Sequence, residues 1–274
     1  MPRRLVSAIM LTLLLISMLT LTIGTQPVEA VGTIYIRANG SVDPPTAPIS
    51  TLDNVTYTFT YHIYKSIVVE RSNIIIDGEG YTVQGDGSGR GFSLYGIGNV
   101  TIKSTNIKGF LSGIFFYSSS NNKVTDNSIT ANDDGIEITD SSNNNISGNS
   151  ITANNGPGIF FARSSNSIIS GNTIANNNYG IFLHSSSNTN NITGNTIRTN
   201  EYHGIVLDSS SNNSINGNIV TANNYGIAIT DSSNNTLRDN VMAGNKYNFD
   251  VWGLAPTHFV NDVDVSNTVD GKPI

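Results

Sequence analysis

Two carboxylates and an imidazole recur at almost equal steps in this chain: His184, then Asp208 after 24 residues, then Asp231 after 23. A carboxylic acid and a carboxylate about 6 Å apart suit glycoside cleavage, the acid protonating the leaving oxygen while its partner attacks or activates water. Near-equal steps put Asp208 and Asp231 on adjacent layers of a repeating structure, offset by one residue. They also put His184 one layer below Asp208, within hydrogen-bonding reach. The competing reading is architectural, because an Asp that closes a strand ahead of Ser-Ser is a common turn former. A second set of residues points to binding without chemistry. Tyr95, Phe115, Tyr117, Phe160 and Phe182 fall at outward positions of the same repeat, with Arg163 beside them. Contiguous apolar patches tend to be functional, and flat rings stack on sugars; alternatively these rings stack on one another from layer to layer. Tyr179, Tyr202, Tyr225 and Tyr247 form a second aromatic stripe that shields a turn.

Metal ligation is poorly served. There are four histidines, His62, His184, His203 and His258, and no cysteine. Met1, Met10 and Met18 lie in the first 30 residues, and Met242 is at an inward position. In the stacked arrangement His184 and His203 are five positions out of register, about 16 Å along a strand, so they cannot share an ion. No metal site and no cofactor is predicted from these residues.

The bulk composition narrows the choice further. Of 274 residues, 38% are hydrophobic and 12% charged, with a net charge of −6. The apolar content suffices for one core, while Ser, Asn, Thr and Gly supply the polarity. With 14 basic against 20 acidic residues and no basic run, nucleic acid is not an expected partner. Without cysteine there are no disulfides, thiolate metal sites or cysteine nucleophiles.

All of these side chains are positioned by one repeat. Gly91, Gly113, Gly135, Gly158, Gly180, Gly204, Gly226 and Asn248 follow each other at 22, 22, 23, 22, 24, 22 and 22 residues. Asn127, Asn149, Asn172, Asn195, Asn218 and Asn240 keep the same spacing, as do Asn132, Asn154, Asn177, Asn200, Asn223 and Asn245. Such periods mean a solenoid, each unit burying its apolar face against its neighbours. After each glycine the pattern is apolar, variable, apolar, from Phe92/Leu94 to Phe249/Val251, which is a strand buried on one face. Gly and Asn in every window exclude a helix. An Asn eight residues on (Asn99, Asn121, Asn143, Asn166, Asn188, Asn212, Asn234) marks a turn. A second strand is marked by Ile146 and its equivalents, and a third by Ile151 and its equivalents. Extra residues are expected at 155–157, at 201–203 and near Thr189. The fold class is therefore all-β: a single-stranded parallel β-helix of about 22-residue coils, three short strands each. Like strands should stack at about 4.8 Å. The repeated Asn form ladders, donating to the next coil and accepting from the one before, and tolerate left-handed turns.

The ends differ from the middle. Arg3 and Arg4 precede an apolar run to Ile23, then Val28-Glu29-Ala30, the order of an export signal. Residues 1–30 are thus a signal peptide or an N-terminal anchor, the one expected link to a membrane. Residues 31–71, with alternating runs at 33–37 and 57–64, are read as strands that cap the solenoid at 72–253. Residues 254–274 start a C-terminal tail.

The segments 143–151 (Asn-Asn-Asn-Ile-Ser-Gly-Asn-Ser-Ile), 212–219 and 234–241 resemble the β-helix repeats of NosD-type periplasmic proteins, a likeness that extends over residues 72–253. Residues 33–48 and 259–274 also resemble the opening and tail of archaeal surface proteins built on these repeats, in which the tail runs on past Gly271-Lys272-Pro273-Ile274. The resemblance implies a right-handed helix of the pectate-lyase type, and copper as the ligand of NosD itself. It says little of function. Asp133-Asp134 and His203-Gly204 are similar to parts of polygalacturonase motifs, but three coils and about 14 Å separate them. The leading expectation is an exported, non-catalytic module that binds a glycan or another cell-surface component. The alternatives are a polysaccharide lyase or hydrolase on the outer strand face, and a copper-assembly accessory protein.

Overall fold

A computed structural model describes residues 32–274, so the export segment expected at 1–30 lies outside the described residues. Thr33–Ile274 form one compact unit. Its strands build three sheets of 11, 11 and 10 strands, and consecutive coils pair in parallel throughout the repeat. Sheet one holds the six-residue strands that contain the marker glycines, such as Asp134–Thr139, Pro157–Ala162 and Tyr179–His184. Sheet two is made of strands like Asn145–Ser147, and sheet three of strands like Ser150–Thr152. Register is conserved from coil to coil: Ile114 pairs with Ile136, and Ile136 with Ile159.

Alternation decides what is inside. Ile136, Ile138, Ile146 and Ile151 are fully buried in one coil, and Ile159, Phe161, Ile169 and Ile174 in the next. Phe249 and Val251, read as an inward pair, are only partly buried because no further sheet-one strand stacks beyond Tyr247–Trp252.

The marker glycine has a steric cause. A Cβ on Gly180 would lie 2.3 Å from the carbonyl oxygen of Gly204 and 2.6 Å from Ile197 Cγ2. Only a hydrogen fits here between successive coils.

The polar ladders lie inside the turns. Asn149 Nδ2 donates to Asn172 Oδ1 at 3.0 Å, and Asn172 Nδ2 to Asn195 Oδ1 at 2.9 Å. The backbone N–H of Asn149 also donates to Asn172 Oδ1, at 3.0 Å. The second series behaves alike, with Asn154 Nδ2 to Asn177 Oδ1 at 2.9 Å and Asn177 Nδ2 to Asn200 Oδ1 at 3.1 Å. These amides satisfy turn N–H groups that no strand can reach.

Two details differ from the sequence reading. Ladder Asn residues are not themselves left-handed; the residue before each one is, as at Asp126, Gly148, Gly171, Gly194, Gly217 and Asp239. The turn Asn at 121, 143, 166, 212 and 234 are left-handed too, and each precedes a further buried ladder residue: Asn122, Asn144, Ser167, Asn213 and Asn235. Asn99 is also left-handed, but it precedes Val100, whose N–H donates to Asn122 Oδ1. In that column Thr189, with φ 58°, takes the place assigned to Asn188, because the extra residue sits at Ser185–Ser186, both left-handed. A fourth ladder, from Ser119 through Ser141, Ser164, Ser187 and Ser210 to Ser232, is carried by hydroxyls accepting backbone N–H bonds. Hydroxyls carry so little contrast in a Ser-rich chain that spacing alone does not single this ladder out.

At the N-terminal end, Ile34–Ile36 and Ile67–Val69 already belong to sheet one, and Thr56–Phe59 to sheet two. Antiparallel Val42–Asp43 and Ile49–Ser50 terminate those sheets. At the other end Asn261 and Asn267 top two ladders, and Lys272–Pro273 closes sheet three in antiparallel fashion.

Candidate functional site

The outward face of sheet one carries three columns of side chains, and unlike the interior it changes with every coil. The column before the glycines runs Arg90, Ser112, Asp134, Pro157, Tyr179, His203, Tyr225, Tyr247. The middle column includes Phe115, Glu137, Phe160, Phe182 and Val206, and the last includes Tyr95, Tyr117, Thr139, Ala162, His184 and Asp208.

The expected aromatic residues fall into two clusters. Tyr95 lies 5.6 Å from Phe115 and 6.5 Å from Tyr117, centroid to centroid. Tyr95 and Tyr117 are 50% and 44% exposed, but Phe115, read as exposed, is buried at 6%. The Arg90 guanidinium covers its ring at 3.6 Å and donates to Tyr95 Oη at 3.1 Å. Phe115 is thus a floor for the cluster, and the arginine that the sequence reading passed over is its lid. In the second cluster Phe160 and Phe182 meet edge to face at 5.4 Å, with Tyr179 5.3 Å and His184 5.6 Å from Phe182. Phe160 and Phe182 are half-buried against each other. Arg163, read as a ligand contact, sits in a left-handed turn and is engaged by Asp140 at 2.6 and 3.0 Å.

The second stripe is corrected at one step. Tyr179, His203, Tyr225 and Tyr247 stack in register, the last two intervals being 4.7 and 4.8 Å. The extra residue at 201–203 pushes Tyr202 out of this column, where it is 40% exposed. Burial holds the His203 imidazole below its ordinary pKa, although Asp250 works the other way, so the ring stacks as a neutral aromatic.

His184 and Asp208 are brought together: Nδ1 donates to Oδ2 at 2.8 Å. Asp231 follows Thr230, the register partner of Asp208, but it lies in a left-handed turn and takes other partners. Its Oδ1 accepts from the Leu254 N–H at 2.9 Å and pairs with His258 Nδ1 at 2.9 Å. The two carboxylates therefore serve separate contacts, one on the sheet face and one on the tail.

Asp134 was missed as a site residue. Burial, then Glu137, then Asp133 push its carboxyl up to about 6. Among the described residues no donor reaches it, whereas Glu137 accepts from Ser112 Oγ at 2.7 Å. Two acids near an apolar pair were legible in the sequence; that one of them would be shielded and unpartnered was not.

Three stacked parallel sheets with 22-residue coils and internal asparagine ladders define a parallel β-helix protein. Residues 163–264 match the right handed beta helix region family. Residues 50–197, more than half of the chain, match the periplasmic copper-binding protein (NosD) family, and the chain belongs to that family. No curated protein matches it by sequence. Among solved structures it is similar to a mutant of the periplasmic alginate epimerase AlgG, at 20% identity and TM-score 0.58, over 72% of this chain and 66% of that one. It is similar also to DFA-IIIase from Arthrobacter chlorophenolicus A6 in complex with DFA-III (14%, TM-score 0.52, 76% and 51%). A third is the enzymatically active domain of bacteriophage CBA120 tailspike protein 2 (12%, TM-score 0.55, 73% and 36%). The chain spans less than two thirds of the length of each, and at these identities the likeness is one of fold.

The residues present do not fit a copper site. His62 Nδ1 accepts from the Thr82 N–H, His184 and His258 are paired with aspartates, His203 is stacked, and Met242 is in the core. Among the described residues no three His, Cys, Asp or Glu side chains gather as a metal would need.

Proposed function

We propose that this protein is an exported, non-catalytic β-helix module that binds a glycan on the outward face of sheet one. The observation that carries this reading is the pair of ring clusters, Tyr95/Phe115/Tyr117 and Phe160/Tyr179/Phe182, on a flat sheet with half-exposed members. Rings in such a patch offer area for stacking at little entropic cost, since their neighbours already fix them. Carbohydrate-named structures of the same fold and the periplasmic description of the family support the class of ligand and the compartment. A glycan-array screen with the Phe160→Ala/Phe182→Ala double variant tests it. Binding by the wild type and at least about a tenfold loss in the variant are expected, as for central aromatic anchors. An array without a single retained glycan, or a variant that binds unchanged, removes the proposal.

The His184–Asp208 hydrogen bond favours a second reading, a polysaccharide hydrolase or lyase in which Asp208 orients the imidazole as a base. Reducing-end or unsaturated-product release from polysaccharide, abolished in Asp208→Asn, would establish it. Turnover that survives that change would remove both residues from the reaction.

A further inference from the structure

Between the two ring clusters lies a single strand, Asp134–Thr139, and it is the acidic one. Glu137 pairs with Phe115 on one side and with Phe160 on the other, so it stands about 4.8 Å of strand spacing from each ring cluster. Asp134 stands in the neighbouring column, between Ser112 and Pro157. A chain spanning both clusters must cross this strand.

Resting on the glycan reading above, we infer that the ligand of this face is a neutral, hydroxyl-rich polysaccharide, and that the carboxylates of Asp134 and Glu137 turn polyuronates away. Hydroxyl groups donate to carboxylate oxygens, and Asp134 has acceptor capacity that no described donor uses. Carboxylates of a uronate polymer laid on the same rings would face like charges across one strand spacing. The other charges around Asp134 do not reverse this. Asp133 adds negative charge from the turn before it. Ser112 below, and Pro157 and Gly156 above, are uncharged. Arg90, the cation of the same column, belongs to the strand two coils below Asp134; its guanidinium is held over Phe115, the register neighbour of Glu137, and is engaged there by that ring and by Tyr95 Oη. Further up, His184 is paired with Asp208.

The test is equilibrium binding of the wild-type chain to neutral glucan, mannan and xylan polymers and to alginate and polygalacturonate at low ionic strength. It is run at about pH 7.5 and at about pH 5, on either side of the Asp134 titration. Neutral polymers should bind, with polyuronates weaker by about tenfold or more at the higher pH. The gap should narrow at the lower pH, where Asp134 is protonated and the repulsion falls. Asp134→Asn/Glu137→Gln should raise polyuronate affinity about tenfold, with the single Asp134→Asn variant reporting the same direction should loss of the Ser112 bond disturb the strand. Polyuronates that bind the wild type as well as neutral polymers, or acid-to-amide variants without any gain, overturn this inference and leave glycan binding standing. Retention of neither class overturns both.

Discussion

The turns of each coil and the outward face of sheet one are written in the same repeat, yet they use it in opposite ways. At the turns the side chains are the same from coil to coil: Asn149, Asn172, Asn195 and Asn218 occupy equivalent places with hydrogen bonds of 2.9–3.0 Å. On the sheet face the equivalent places hold Phe115, Glu137, Phe160, Phe182 and Val206. A buried polar group must meet a partner above and below, so its identity is dictated by its neighbours. An outward side chain owes its neighbours little, which leaves it available for a ligand. Repetition within the chain thus marks architecture, and its interruption marks the surface on which function is sought.

This contrast breaks if repeated positions tolerate change or if the face does not. The largest loss should come from Gly180→Ala, whose added methyl meets the Gly204 carbonyl at 2.3 Å. We expect about 3 kcal/mol or more, read as a lowered urea midpoint. A change below about 1 kcal/mol would show that the coils can part at this glycine. Asn172→Ala should cost nearly as much, about 2–3 kcal/mol, because it strips the acceptor from the Asn149 N–H and the donor from the Ile146 carbonyl. An unaffected midpoint there would mean that water replaces the ladder.

On the face, Asp134→Asn should stabilise. The carboxyl titrates near 6 in the folded protein, above its value in the unfolded chain, so the folded state binds more protons between about pH 4 and 6. Stability is therefore full below that window and lost as pH rises through it, by about 2 kcal/mol after allowance for partial exposure. The amide variant should lose this fall; parallel pH profiles for the two proteins would place the charge elsewhere. Smallest of all, Arg163→Ala should cost little or nothing at the urea midpoint, since its ion pair with Asp140 is exposed. A larger loss would make this turn part of the architecture.

How much of this was legible follows the same division. Inward apolar pairs, the two long Asn ladders and the 22-residue coil could be read from spacing, because one-face burial and stacked amides impose a period. The contact between His184 and Asp208 was legible for that reason, as both fall at the same offset from their glycines. Where one residue was inserted, register had to be guessed: Thr189 replaced Asn188 and His203 replaced Tyr202. The cover of Arg90 over Phe115, and the separate partner that His258 gives Asp231, join residues whose side chains cross the columns or come from the tail. No period encodes such contacts.

The sequence by itself determined the solenoid, its core and its polar spine, since each coil can bury its apolar side chains and satisfy its turns only by lying on a copy of itself. Tertiary structure decided which rings stay open, which acid is left shielded and unpartnered, and which aspartate faces which histidine. Those outcomes depend on side chains meeting across coils at distances of a few ångströms, and a one-residue insertion or a long arginine is enough to change them.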